Sequence, residues 1–111
     1  MKLVNLTPHT LNIHGVDAEG KAFIYNLKPG GDAPRVSFID KPYMVLDGIA
    51  IRTETMSDVE GLPSPIKDVL FVVSQIVAGA CLDREDLVYP GPLIRDEDGR
   101  PIGCAGLSRK G

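Results

Sequence analysis

Val69-Leu70-Phe71-Val72-Val73-Ser74-Gln75-Ile76-Val77-Ala78-Gly79-Ala80-Cys81-Leu82 is the most hydrophobic stretch of the chain, and its period changes in the middle. The first five residues are β-branched, aliphatic or aromatic and of strand length, whereas Val73, Ile76, Val77, Ala80 and Cys81 recur at helical spacing. Ser74 stands where a helix N-cap belongs. The stretch therefore predicts a buried strand running into one short helix; the competing reading is a single long strand with a bulge near Gly79.

Upstream of it, Leu3, Val4 and Leu6 predict a strand over residues 2–6 that stops at Thr7-Pro8, because Pro8 has no ladder donor. Leu11 and Ile13 alternate with Thr10, Asn12 and His14, Asp17-Ala18-Glu19-Gly20 supplies turn chemistry, and Phe23, Tyr25 and Leu27 alternate again, which reads as a β-hairpin. After the loop Pro29-Gly30-Gly31-Asp32, residues 34–39 form a third extended stretch that Lys41-Pro42 interrupts. Residues 43–46 and 49–55 flank Asp47-Gly48, a dipeptide suited to a type I′ turn. The second arm alternates Ile49, Ile51 and Thr53 against Ala50, Arg52 and Glu54, the pattern of a half-buried strand. Residues 56–67, with Gly61, Pro63 and Pro65, read as a long surface loop, either functional or a simple crossover.

Downstream, Asp83-Arg84-Glu85-Asp86 is a charged corner and Pro90-Gly91-Pro92 argues against a regular element. Leu93 to Asp96, the turn Asp98-Gly99, and Pro101 to Ala105 make the clearest hairpin. These elements sum to six to eight short strands and one helix: a mainly β (β-rich α+β) single domain over residues 1–107, with a short frayed basic tail at 108–111. A small barrel or strongly coiled antiparallel sheet, plugged at one end by the helix, fits this order better than a parallel α/β sheet, which would need several crossover helices.

Composition bounds the function. At 111 residues, 43% hydrophobic and 24% charged, the chain can fold one modest core, and two-domain enzymes are excluded. A net charge of −3 provides no basic field for sequence-independent nucleic-acid binding. No apolar run has the length of a membrane helix, and the polar start Met1-Lys2-Leu3-Val4-Asn5 is unlike a secretory leader, so a cytoplasmic protein is expected. Cys81 and Cys104 have neither metal nor redox spacing, and read as two reduced thiols or as one structural disulfide.

Leu3-Val4-Asn5-Leu6-Thr7-Pro8-His9, Arg35-Val36, Val72-Val73-Ser74, Arg84-Glu85-Asp86, Pro90-Gly91, Arg95-Asp96 and the stretch from Gly99 to Gly103 together resemble a group of small proteins of bacteriophages, prophages and bacterial genomes. Its members open with the Asn-Leu-Thr-Pro-His phrase and close with an Arg-Asp hairpin. The resemblance spans nearly the whole chain and implies a phage or prophage origin, but no activity is attached to the group. Where the group often has Pro-Ser-Gly before its Arg-Val, this chain reads Lys28-Pro29-Gly30-Gly31-Asp32-Ala33-Pro34 and offers no serine.

Candidate chemistry is sparse. His9 and His14 are five apart, which on one strand puts them on opposite faces, and with no third ligand nearby no metal site is expected. His9 reads as a general acid or base on a rigid loop, or as a structural histidine. Ser74 with His9 and Asp86 would form a nucleophilic triad, but the nucleophile-elbow motif is absent and Ser74 reads better as a cap. Arg35, Arg84 and Arg95 stand at the edges of apolar elements, two of them close to the acids Asp86 and Asp96. Converging guanidinium groups would hold a small anionic ligand, whereas isolated ones would serve as internal ion pairs. No cofactor motif occurs: the glycines match neither phosphate-cradling pattern, and Asp83, Glu85, Asp86, Asp96, Glu97 and Asp98 lack calcium-loop spacing. The sequence thus supports a binding module for a small anionic ligand, with His9, Arg35, Ser74, Arg84, Asp86 and Arg95 as the candidate site. Its alternatives are a structural or interaction protein acting as a homo-oligomer, and an acid–base or group-transfer enzyme using His9, Ser74, Arg84 and Asp86.

Overall fold

A continuous apolar run such as residues 69–73 needs cover on both faces, and the computed structural model, which describes residues 1–111, supplies it. In chain order the elements are β1 (Lys2–Asn5), β2 (Leu11–Val16), β3 (Ala22–Leu27), β4 (Phe38–Leu46), β5 (Ile49–Met56), β6 (Val69–Val72), α1 (Gln75–Ala80), β7 (Leu87–Pro90), β8 (Leu93–Arg95), β9 (Pro101–Ala105) and β10 (Leu107–Ser108). One four-stranded sheet has the order β1-β6-β7-β10, a second has β3-β2-β9-β8, and β4-β5 form a two-stranded ribbon of their own. The first sheet is the middle layer. On one of its faces Phe71 and Val73 pack with Leu6, Leu87 and the helix residues Val77 and Ala78. On the other, Val72 and Val88 pack with Ile13, Leu27 and Cys104 of the second sheet. Alternate residues of β6 thus serve opposite cores, which explains why the run is apolar throughout.

The strand-to-helix reading of residues 69–82 holds. Ser74 lies in extended backbone, and its hydroxyl accepts the Val77 N–H at 3.2 Å, capping α1. The helix carries the chain back so that β7 lies parallel to β6, Phe71 opposite Leu87 and Val72 opposite Val88. Such a crossover is what a parallel pair requires.

The protein is mainly β, 49% strand with one short helix, but its sheets are mixed and neither closed nor strongly curled. The expected barrel or coiled antiparallel sheet is therefore corrected. Neighbours in sequence do form antiparallel hairpins, β2-β3, β4-β5 and β8-β9. Of the remaining pairs, β7-β10 is antiparallel, whereas β1-β6, β6-β7 and β2-β9 are parallel, brought together by core packing that periodicity does not encode. Pro90-Gly91-Pro92 also differs from expectation, since Pro90 ends β7 and pairs with Leu107. Gly91 follows where a Cβ would come within 2.3 Å of the Ala105 carbonyl oxygen, so only glycine permits the strands to approach. Ser108, read as part of a tail, is the second residue of β10, and the Lys110 ammonium lies 5.2 Å from the centre of the Tyr89 ring.

The ribbon departs most from expectation. Lys41-Pro42 does not interrupt it: β4 runs through Pro42 with a bulge before Met44, which a two-stranded ribbon with free edges tolerates. Asp47 and Gly48 take φ of 51° and 80°, the left-handed turn foreseen for the dipeptide. Yet β5, patterned as a half-buried strand, is exposed at every residue, and so is β4. No residue of either strand belongs to the two cores.

Candidate functional site

The residues singled out from the sequence fall into separate places. Asn5, 1% exposed, organises the opening phrase. Its Nδ2 donates to the carbonyls of His9 (2.8 Å) and Leu27 (2.9 Å), and its Oδ1 accepts the Thr7 N–H (2.9 Å) and the Thr7 hydroxyl (2.6 Å). All four capacities of the amide are satisfied. The phrase is thus a buried polar knot that ties β1 in the first sheet to the end of β3 in the second. His9 contributes its carbonyl to the knot while its residue is exposed beside an open hollow with Leu11, Leu93 and Ile102. The signal for Asn5 in the sequence is its place inside an apolar strand, where a polar amide needs buried partners.

Arg84 and Asp86 are brought together. Arg84 Nε and Nη2 donate to the two Asp86 carboxylate oxygens, each at 2.7 Å, and Nη2 also donates to the Pro63 carbonyl at 2.9 Å. The hydrogen bond from Arg84 holds the Asp86 carboxyl below its ordinary range, and the same bond raises Arg84. The pair fastens the segment around Pro63 to the body of the protein. Arg84 also borders a hollow of about 490 Å³ between that segment and the end of α1, lined by Met56, Val59, Leu62, Cys81 and Asp83. Cys81 and Cys104 are both free thiols, and burial pushes Cys81 up, away from the reactive thiolate.

The other arginines stand apart from this pair. Arg35 is exposed at the rim of a hollow it shares with the acids Asp32 and Glu60, and its backbone exchanges two 2.9 Å hydrogen bonds with Glu60. Arg95 is exposed and donates from Nη1 to the Gly99 carbonyl at 2.9 Å, closing the tip of the β8-β9 hairpin. Asp96 completes that tip by accepting the Asp98 and Arg100 N–H groups, each at 2.9 Å. No described hollow holds two of the three arginines. Ser74 is occupied as the helix cap, and no hydrogen bond joins it to His9 or Asp86. His9 and Arg84 line different hollows.

The largest unsatisfied feature is the β4-β5 ribbon. Its register places Leu46 opposite Ile49, Met44 opposite Ile51 and Ile39 opposite Thr55. Residues facing each other across a pair share a face, so the distal half of one face, Leu46, Ile49, Met44 and Ile51, is apolar, and Lys41 opposite Thr53 separates it from Ile39 nearer the root. Leu46 is 55%, Ile49 65% and Met44 48% exposed. The other face mixes Val45, Ala50 and Pro42 with Arg52, sets Asp40 opposite Glu54, and ends at its root with Phe38 opposite Met56. At its root the ribbon is fixed by Ser37 and Ser57, whose backbones and hydroxyl meet at 2.7 and 2.8 Å, and by the Arg35–Glu60 bridge. Val36, Val59 and Leu62 then anchor both legs to the helix-side core. The ribbon is a rooted arm rather than a loose loop.

Compared with protein-family models, with curated proteins and with solved structures, the chain matches none of them.

Proposed function

We propose that the protein is an interaction module that assembles with copies of itself through the β4-β5 arm. One observation carries the reading: an amphipathic ribbon whose distal apolar face, Leu46, Ile49, Met44 and Ile51, has nothing in its own chain to cover it. An isolated hairpin is marginal in water, and a contiguous apolar face of this kind on a folded protein marks a binding surface. The arginine set supports the small-anion reading less well. Arg84 has its Nε and Nη2 engaged by Asp86 and Pro63, Arg95 closes a turn, and Arg35 lies among acids that would repel an anion. The test is sedimentation of a double variant, Ile49→Asp with Ile51→Asp. Both substitutions lie on an exposed strand, so the body keeps its circular dichroism, while the assembly of the parent chain falls apart to single chains. A variant that sediments like an assembled parent contradicts the proposal.

A further inference from the structure

Resting on that reading, we infer that the arm of one copy seats on the uncovered inner face of the β2-β3 hairpin of another, against Phe23 and Tyr25. The register puts Leu11 opposite Leu27, Ile13 opposite Tyr25 and Gly15 opposite Phe23, so these six residues share one face of the second sheet. Its near half is core: Ile13 and Leu27 are each 8% exposed beneath the first sheet. Its far half continues the same apolar pattern without cover, Tyr25 being 51% and Phe23 47% exposed. The end of the Phe23 ring reaches over Gly15, where a Cβ would meet it at 2.7 to 3.3 Å, so the missing side chain leaves an aromatic surface on this face. Such a surface suits the apolar face of a second sheet layer, which packs about 10 Å away.

The occupant is a second copy of this chain, for two reasons. The first is area. The protein exposes 8174 Å², whereas a compact monomer of 11.9 kDa exposes about 6,000 Å². The excess, on the order of 2,000 Å² per chain, is what each subunit of an obligate assembly buries. The second is that both surfaces belong to one chain and do not pack extensively on each other within it. The extensive packing of β4 and β5 is on each other, and that of β3 is on β2. Arm and seat are different surfaces, so the contact closes either reciprocally between two copies or around a ring.

Cross-linking between singly substituted chains tests the seat, in a Cys81→Ala background where the remaining Cys104 is buried. Chains carrying Ile49→Cys are mixed with chains carrying Tyr25→Cys and treated with a short bis-maleimide. Met44→Cys with Phe23→Cys provides an independent pair, and Ala50→Cys, on the other face of the ribbon, provides the control. The inference expects heterodimeric product from both apolar pairs and at least tenfold less from the control. If the mixed chains are assembled by light scattering but neither apolar pair links above the control, the seat is wrong while self-assembly stands. If they are single chains, both readings fall, and the arm then serves a different protein or a lipid surface.

Discussion

Asn5 shows how a single residue can hold two sheets together. Its amide is buried, donating twice and accepting twice, so Asn5→Ala leaves the Leu27 carbonyl and the Thr7 N–H without their partner, while the His9 carbonyl keeps only the Thr7 hydroxyl at 3.1 Å. Each buried polar group so orphaned costs about 1–3 kcal/mol, and a loss of roughly 2–4 kcal/mol in urea unfolding is expected. A loss below about 1 kcal/mol would mean that the knot is not what joins β1 to β3. Arg84 acts at the same scale. Because its hydrogen bond lowers the Asp86 pKa in the folded state, the pair's stabilisation is complete above the unfolded carboxylate value, near 3.8, and is lost as pH falls through the lower folded value. Arg84→Ala should therefore lower stability by roughly 1.5–3 kcal/mol near pH 7 and flatten the acid limb of a melting-temperature profile below about pH 4. An unchanged acid limb would remove the pair from the account. The stretches Asn5 to His9 and Arg95-Asp96 thus have visible work as a knot and a hairpin tip, which sequence alone left indistinguishable from site chemistry.

Among the elements, those whose signals are local were legible. The Asp47-Gly48 and Asp98-Gly99 turns, the Ser74 cap and the period change at Val73 each depend on residues a few positions apart, and each element formed where they pointed. The sheet order was not legible, because placing β1 beside β6 or β2 beside β9 depends on which apolar faces meet across the whole fold. The arm is the instructive case. The alternation of Ile49, Ile51 and Thr53 was read as the mark of a half-buried strand, and the pattern is sound even though the chain itself provides no cover. A period of two states that one face must be buried without saying by what. This leads to a prediction for backbone amides. If partner contact is what stabilises the ribbon, exchange of the β4 and β5 N–H groups should slow at least tenfold between low and high protein concentration, while that of β6 stays constant. Concentration-independent protection of β4 and β5 would show that the ribbon is stable alone.

For the whole molecule, the radius of gyration is 17.7 Å and the extents are 62 × 40 × 24 Å, whereas a compact chain of this length has a radius near 13 Å. Only 14 of 111 residues are buried, so a single chain has less core than its hydrophobic content allows it to form. The missing burial is concentrated on the arm and on the far end of β2-β3, which is why assembly and not a pocket is the central claim. Static light scattering of the unmodified chain at micromolar concentration measures that claim most directly. A molar mass of at least two chains is expected, falling toward one chain in the Ile49→Asp, Ile51→Asp variant; a mass of 11.9 kDa for the parent throughout that range would contradict self-assembly.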